Sequence, residues 1–312
     1  MNKTVKLLFA ILLCLAAGMR AVSFGAVLFV QRDSNRITST RPAVPRPVSF
    51  REIAGRGLLV QTWINSAGPF TFAIDTGAGA MLLSPRVATE ARATLKDGRG
   101  ASIAGLSGVT LSAQVVAIRS IAIGDSENRL PATGNVIVAT QLPRDIDGVL
   151  DPTEVFFPLG YVIDIPRHEL SAFDPHIVPL KIDQPPAEGT IVTWLQERNS
   201  RRPFVQLDNG DRALLDTGSS LGLAIKDSAD VRGNPSLVRD VGGGRVSARR
   251  VQPMTVAVGS LSLRNVPTDI ISGAEADAPV LLGLSALRPF TLRFDPLHHL
   301  IEIAPSQASR RQ

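Results

Sequence analysis

The sequence predicts an all-β protein made of two similar halves, and three observations support this prediction. The 312 residues include 26 glycines and 22 prolines but few long amphipathic stretches, which favours strands joined by turns over helices. From Phe50 onward, short apolar segments alternate with Gly, Pro, Asn and Asp, the residues that most often form turns. The triplet Asp-Thr-Gly occurs at Asp75–Gly77 and again at Asp216–Gly218, each time after a short apolar run.

Candidate strands lie on both sides of a proline-bearing stretch, Pro175–Gly189. Each candidate is a short apolar run that is bounded by turn residues. In the first half the examples are Leu58–Ile64, Phe70–Ile74, Ala113–Ile123, Asn135–Val138 and Tyr161–Ile165. In the second half they are Thr190–Leu195, Pro203–Leu207, Arg212–Leu215, Val251–Val258, Thr268–Ile271 and Phe290–Phe294.

The two halves repeat their features in the same order. In each half a strand pair leads into Asp-Thr-Gly, and a segment that could be helical and a glycine-rich hairpin region follow. Near the end, an apolar pair precedes Asp151 in the first half and Gly283 in the second. Each half then closes with a strand that ends in Phe-Asp-Pro, at Phe173–Pro175 and Phe294–Pro296. One half therefore comprises about 120 residues, enough for a small β-barrel.

The N-terminus is typical of an exported protein. Lys3 and Lys6 precede the apolar stretch Leu7–Leu15 and small residues, so cleavage is expected after Gly18, with Ala21 as the weaker site. The alternative is an uncleaved anchor that associates with the inner membrane. In both cases the body lies outside the cytoplasm, in a periplasm or as a secreted protein. The single cysteine lies in this leader, so no disulfide is expected in the body.

Composition divides the chain into six segments. They are a signal peptide or membrane anchor (1–30), a flexible tether (31–49), an N-terminal lobe (50–176), an interlobe linker (177–189), a C-terminal lobe (190–305) and a tail (306–312).

Charge and histidine spacing limit the partners that the protein is expected to have. The net charge is +5, but no basic stripe interleaved with aromatic residues is present, so we expect no nucleic-acid partner. The four histidines show no metal-ligand spacing, so we expect no metal.

The two aspartates of the repeated triplet indicate acid–base chemistry. Two Asp side chains about 3 Å apart cannot both ionise at modest cost, so they share one proton. The ionised member can then take a proton from a water molecule, while the protonated member gives one to a carbonyl oxygen. This chemistry is sufficient for peptide hydrolysis without a cofactor.

On these residues the chain resembles the pepsin/retropepsin superfamily of aspartic proteases, and more narrowly the bacterial retropepsin-like aspartyl proteases, here with two lobes in one chain. The resemblance covers about residues 50–305 and includes the stretch Leu281–Leu287 and a closing hairpin at Phe290–Ile303. It implies a two-lobed pepsin-like fold, a duplicated acid-protease β-barrel with an interlobe catalytic cleft. It also implies an endopeptidase that acts on a peptide or unfolded protein. A chain that carries both aspartates needs no second copy, so we expect a monomer.

The resemblance assigns roles to individual residues. It implies that two aspartates hold the lytic water, that two threonines interlock between the lobes, and that two glycines let the loops approach closely: Asp75 and Asp216, Thr76 and Thr217, Gly77 and Gly218. The Ser219 hydroxyl is expected to support Asp216. The candidate flaps are the segment Gly98–Gly108, with Gly100 and Gly105, and the segment Asp240–Arg245, with Gly243.

Two alternatives remain open beside this reading. Gly218–Gly222 matches the Gly-x-Ser-x-Gly elbow of serine hydrolases, but the duplication explains the segment better, because Gly79 stands at the equivalent position. Asp151 stands where the family has a glycine, and a buried carboxylate there is unfavourable without a partner. The second alternative is therefore a catalytically impaired acid-protease fold that binds peptides or a partner.

Overall fold

The computed structural model describes residues 41–134, 136–197, 200–226, 236–239, 241–275 and 278–306. The predicted leader, most of the tether, residue 240 of one flap candidate and all but the first residue of the tail lie outside these ranges. The described residues form 23 strands and three short helices, and the predicted all-β fold class is confirmed. The described residues from Pro42 onward belong to one compact unit; the division of that unit into two lobes stays a prediction.

The strands are numbered in chain order. Strands β1 to β12 are Val48–Ser49, Arg51–Ile53, Gly57–Ile64, Ala67–Ile74, Met81–Leu83, Thr94–Ala104, Thr110–Ala117, Ile121–Ile123, Val136–Val138, Gly148–Leu150, Gly160–Asp164 and Glu169–Phe173. Strands β13 to β23 are Thr190–Thr193, Leu195–Glu197, Ser200–Gln206, Arg212–Asp216, Leu223–Lys226, Ser236–Arg239, Arg245–Val258, Leu261–Ser272, Val280–Gly283, Phe290–Asp295 and Leu300–Pro305.

Two large sheets have the same strand order. The first-half sheet comprises β2 to β10 and runs β2-β3-β4-β10-β5-β9-β7-β6, with β8 attached to β3. The second-half sheet comprises β14 to β21 and runs β14-β15-β16-β21-β17-β20-β19-β18. Strand β4 is parallel to β10, as β16 is to β21. Strand β5 is antiparallel to β10 and parallel to β9, and β17 is likewise antiparallel to β21 and parallel to β20. The repeated order of sequence features therefore corresponds to a repeated topology.

A third sheet contains strands from both halves. Its order is β1-β12-β11-β22-β23-β13, so that a hairpin of the first half pairs with a hairpin of the second through β11 and β22. Buried side chains from this sheet and from both large sheets belong to one hydrophobic cluster, which includes Phe72, Val205 and Phe294. The shared core joins the two halves.

The pairing in this third sheet corrects one equivalence that the sequence suggested. The two Phe-Asp-Pro ends are not equivalent, because Phe173 ends β12 whereas Phe294 lies in β22. The equivalent hairpins are β11–β12 and β22–β23, whose turns contain His168 and His299, both with a positive φ. A recurring tripeptide at two strand ends was too short to establish the alignment.

The three helices are short, and their N-termini differ. Helix α1 (Pro85–Glu90) is capped by the hydroxyl of Ser84, and helix α2 (Pro152–Val155) by the carboxylate of Asp151. Proline at the first helical position suits both, since its missing N–H would have no helical partner. Helix α3 (Leu284–Leu287) follows Gly283 and has no side-chain cap. Helices α2 and α3 thus start differently at equivalent places. In the part of the chain that the structure describes, no helix has the length and apolar character needed to cross a membrane.

Candidate active site

The two predicted catalytic aspartates stand at equivalent ends of two parallel strand pairs. Asp75 follows β4, and its backbone N–H donates to the Leu150 carbonyl at 3.0 Å. Asp216 is the last residue of β16 and pairs with Gly283 of β21. Apolar side chains bury each strand up to this point, and the chain then turns. Both aspartates are only half-buried, so solvent reaches the place where they meet.

The threonines that follow hold the two turns together across the halves. The Thr76 N–H donates to the Thr217 hydroxyl at 3.2 Å, and the Thr217 N–H donates to the Thr76 hydroxyl at 3.1 Å. Each hydroxyl in turn donates to a carbonyl of the opposite half, Leu215 at 2.5 Å and Ile74 at 3.0 Å. Both threonines are fully buried. Four hydrogen bonds therefore fix the two loops against each other.

The glycines of the triplets allow the carboxyl groups to approach. A Cβ on Gly218 would lie 2.2 Å from Asp75 Cγ, and a Cβ on Gly77 would lie 2.7 Å from Asp216 Cγ. Real Cβ atoms do not come this close to another carbon atom, because such contacts overlap strongly. Each glycine thus makes room for the aspartate of the opposite half.

The hydrogen bonds around the two carboxyl groups are unequal. Asp75 Oδ1 accepts one backbone N–H, from Gly77 at 2.8 Å. Asp216 Oδ1 accepts two, from Gly218 at 2.9 Å and Ser219 at 3.0 Å. Donors directed at a carboxylate stabilise its ionised form, so this arrangement favours a charge on Asp216 and a proton on Asp75.

The pKa values of the two groups follow this asymmetry. Burial raises the pKa of Asp75 well above its usual range, and the negative charges of Asp216 and then Asp151 raise it further. Burial also raises the pKa of Asp216, but a hydrogen bond from the Asp75 carboxyl, two backbone N–H groups and the charge of Arg202 oppose the rise. The pair therefore shares a proton that resides mainly on Asp75.

Asp151 is a third carboxyl group at this site. It occupies the position next to the end of β10 that Gly283 occupies in β21, and it is fully buried. Its Oδ1 accepts hydrogen bonds from the backbone N–H of Thr153 at 2.8 Å and from the Thr153 hydroxyl at 2.6 Å. Burial raises the pKa of Asp151 to about 7, against the opposing effect of Thr153. The sequence argument was that a buried carboxylate here is unfavourable without a partner; Asp151 is buried, and its Oδ1 has partners.

The structure places Ser219 differently from the sequence expectation. Its backbone N–H, not its hydroxyl, donates to Asp216; the hydroxyl instead accepts the N–H of Leu221 at 3.4 Å. Peptide N–H groups in a tight turn approach the carboxylate more readily than a side chain that leaves the turn. The predicted support for Asp216 therefore comes from the main chain.

The two candidate flaps are hairpins whose tips meet. Gly100 lies within β6, Gly105 lies in the loop between β6 and β7, and Gly243 lies in the turn between β18 and β19 with a φ of 80°. A Cβ on Gly244 would lie 1.9 Å from the hydroxyl oxygen of Ser107, which shows how closely the tips approach.

Each tip packs against the sheet of the other half. Leu106, between β6 and β7, packs against a second-half cluster that includes Ala224, Ile271 and Leu281, and its carbonyl accepts the N–H of Glu275 at 3.0 Å. Val241, before β19, packs against a first-half cluster, whose buried members are Leu82, Ile103, Ala139 and Val149. The contacts are reciprocal, as the repeated topology leads one to expect.

Sequence reasoning missed the contribution of Arg202. This residue of β15 donates to Glu197 at 2.7 Å and lies against the loop that follows Asp75 (residues 76–80), since a Cβ on Gly79 would be 3.5 Å from its side chain. The equivalent position in β3 is Gly57, to judge from the register of the two strand pairs. No sequence signal marked this arginine, because an isolated basic residue in a strand usually lies in solvent.

Among the described residues, no group of three or more His, Cys, Asp or Glu side chains is arranged to hold a metal ion.

Comparison with known proteins agrees with this geometry. Residues 60–150 match a family model described as aspartyl protease. The match contains the first Asp-Thr-Gly and ends directly before Asp151. It confirms, for these residues, the predicted resemblance to the pepsin/retropepsin-like aspartic proteases and supports an aspartic protease-like function. No curated protein matches the chain.

Proposed function

We propose that the protein is an aspartic endopeptidase that hydrolyses peptide bonds through a water molecule activated by Asp75 and Asp216. The observation that carries the proposal is the close approach of two carboxyl groups, which the reciprocal hydrogen bonds of Thr76 and Thr217 hold together. Burial raises the pKa of both groups, which favours a shared proton. Such a pair needs neither a metal nor a covalent intermediate for peptide hydrolysis.

The unequal environments assign a role to each aspartate. Asp216, which accepts two backbone N–H groups, takes a proton from the water molecule while the water oxygen attacks the scissile carbonyl carbon. Asp75, which holds the shared proton, gives it to the carbonyl oxygen, so that a neutral gem-diol forms. The proton now on Asp216 passes to the leaving nitrogen as the C–N bond breaks, and a diol hydroxyl returns a proton to Asp75. Both carboxyl groups then regain their starting states.

The hairpin tips define how a substrate enters. Leu106 and Val241 each pack on the opposite half, and we infer that the tips separate to admit a peptide and close again over it. An extended peptide of an unfolded protein fits between two sheets, where main-chain hydrogen bonds hold it and alternate side chains enter pockets.

The decisive experiment compares the wild type with Asp75→Asn and Asp216→Asn on denatured casein across pH, with and without a pepstatin-like transition-state mimic. We expect either substitution to lower the cleavage rate by roughly 10³-fold and to leave the melting temperature undiminished, because each removes one carboxyl of a pair whose charges repel. Asp164→Asn is the matched control, since its carboxylate binds the Ser306 hydroxyl and the Arg167 N–H instead. Undiminished cleavage by either dyad variant would rule the mechanism out.

The pH dependence of cleavage follows from the pKa directions of the dyad. Hydrolysis requires one proton on the pair, so the rate should fall at low pH, where both groups are protonated, and at high pH, where both are ionised. Because burial raises both pKa values, we expect the alkaline limb to lie above the ordinary titration range of aspartate. A pH profile of kcat/KM tests this, and an optimum confined to the range below the usual aspartate pKa would contradict it.

The buried carboxyl of Asp151 favours a second candidate function, a peptide- or partner-binding module without turnover. Saturable binding of peptides together with complete absence of mimic-sensitive cleavage would establish this candidate instead of the first.

We also propose that the protein acts outside the cytoplasm as a monomer, either free or held by its N-terminus. Cell fractionation with N-terminal sequencing of the mature chain tests the location, and light scattering tests the oligomeric state.

A further inference from the structure

The two catalytic loops differ in length, and the difference creates the space that Asp151 fills. Five residues, 76–80, separate Asp75 from the start of β5, whereas six residues, 217–222, separate Asp216 from the start of β17. In the second half the longer loop packs directly on Gly283, where a Cβ would lie 2.4 Å from the Leu221 carbonyl oxygen. In the first half the shorter loop leaves room for a side chain at that position.

The two loops also face different groups of the segment beside them. In the second half the segment after β21 donates to the loop, with N–H groups of Gly283, Leu284 and Ser285 reaching carbonyls of Gly222, Ser219 and Leu221 at 2.7, 2.8 and 3.1 Å. In the first half Pro152 follows Asp151 and has no N–H to donate. Asp151 places a carboxyl group there instead, and the backbone N–H of Gly79, in the loop that follows Asp75, acts to lower the pKa of this carboxyl.

One oxygen of Asp151 is left without a partner close to the dyad. Among the described residues, its Oδ2 and the hydroxyl of Tyr161 are both buried and neither has a hydrogen-bond partner. Asp151 lies near enough to Asp75 and to Tyr161 for its charge to act on both. A buried carboxyl with an unpaired oxygen binds a proton more readily than an exposed one.

We propose that Asp151 is a positioning residue that braces the first catalytic loop and, when it ionises, keeps the shared proton of the dyad on Asp75. This inference rests on the proposed function for its effect on cleavage. The charged and titratable groups that face Asp151 are Asp75 at the end of β4, Glu154 of α2 with its partner Arg201 of β15, and Tyr161 of β11. Only Asp75 both faces the carboxyl and takes part in the proposed chemistry.

The ionisation of Asp151 also has a consequence for stability that does not depend on catalysis. The pKa of Asp151 in the folded protein, about 7, lies above that of an unfolded aspartate. The folded state therefore binds the proton more tightly, and stability that is fully present at low pH is lost as the pH rises through about 7. Asn at this position does not titrate, so an Asp151→Asn variant should gain stability relative to the wild type over that range.

The test measures denaturant midpoints and kcat/KM for wild type, Asp151→Asn and the control Asp164→Asn between pH 4 and pH 9. We expect the midpoint of Asp151→Asn to rise steadily against that of wild type up to about pH 7 and then to level off. We expect its alkaline limb of cleavage to end about one pH unit below that of wild type, because the charge that retains the dyad proton is gone, while the acidic limbs coincide. The control Asp164→Asn should have the same alkaline limb of kcat/KM as the wild type.

A second variant keeps the ionisation of Asp151 testable if Asp151→Asn does not fold. Thr153→Val keeps the carboxyl but removes the hydroxyl that donates to its Oδ1, so the pH at which stability is lost should move upward by about one unit.

Failure of the inference and failure of the proposed function are distinguishable. Cleavage with coincident alkaline limbs and a flat midpoint difference would overturn the role of Asp151 and leave the protease proposal standing. A midpoint difference that rises as described, without cleavage at any pH, would overturn the protease proposal and support the ionisation of Asp151.

Discussion

The first and second catalytic loops occupy equivalent places in the same strand order, but different chemistry holds them. The second loop is bound by the backbone N–H groups of Gly283, Leu284 and Ser285 and by the Ser285 hydroxyl, which donates to the Ser220 carbonyl. The first loop is shorter, and we propose that the buried carboxyl of Asp151 supports it. A repeated backbone topology thus leaves room for two chemically unequal halves, and we propose that this inequality favours the dyad proton on Asp75.

The largest effect on stability is expected from Gly283→Asp, which gives the second-half position the residue type that Asp151 has in the first half. Gly283→Asp would put a Cβ 2.4 Å from the Leu221 carbonyl oxygen and 2.9 Å from that of Ser219. We expect a loss of about 4 kcal/mol in the free energy of unfolding, from overlap and from an unpaired buried polar group. Denaturant unfolding measures it, with Gly283→Ala as the control that isolates overlap. The reciprocal substitution Asp151→Gly should lower the free energy of unfolding far less. Equal losses would show that the two loops do not differ in the room that they leave for a side chain.

The next effect concerns the glycines between the carboxyl groups. Gly218→Ala should destabilise by about 3 kcal/mol and Gly77→Ala by about 2 kcal/mol, since the Cβ overlap with the opposite aspartate is closer in the first case. Gly100→Ala is a control with no atom within 4 Å of the added methyl group. Thermal unfolding of the three variants checks the order, and a milder Gly218 variant would contradict the geometry.

A smaller effect is expected from the reciprocal threonines. Thr76→Val and Thr217→Val each remove one hydroxyl that both donates and accepts, so each should destabilise by about 2 kcal/mol. The double variant should lose less than the sum, because either substitution already breaks the shared set. A double-mutant cycle in denaturant measures this coupling, and strict additivity would show that the two threonines act independently.

The smallest effect is expected at the hairpin tips. Leu106→Ala and Val241→Ala each remove apolar contacts with the opposite sheet, and each should destabilise the protein by only about 1 kcal/mol, since both side chains are partly exposed. Hydrogen exchange should accelerate in β6–β7 for the first variant and in β18–β19 for the second. Equal acceleration in both hairpins for either variant would mean that the tips open only together.

Much of the fold was predictable because strands and turns leave local marks. The predicted strands overlap observed ones, and some, such as Leu58–Ile64 and Tyr161–Ile165, agree with β3 and β11 to within one residue at each end. Others are only the middle or end of a longer strand, as Val251–Val258 is of β19. The predicted strand Ala113–Ile123 is two strands, β7 and β8, because the chain breaks its pairing at Ile118–Ser120 to let β8 join β3. The short helices α2 and α3 were not predicted, since four residues carry too little periodicity to read.

The amino-acid sequence by itself determined the all-β class, the two Asp-Thr-Gly turns and the equivalence of Asp151 with Gly283, because these depend on residue type and order along the chain. Only the tertiary structure decided which groups meet. The hydrogen bonds of Thr76 and Thr217, the approach of Arg202 and the docking of Leu106 join residues far apart in the chain. The proton on Asp75 is likewise a tertiary property, since it depends on burial and on donors and charges that only folding brings together.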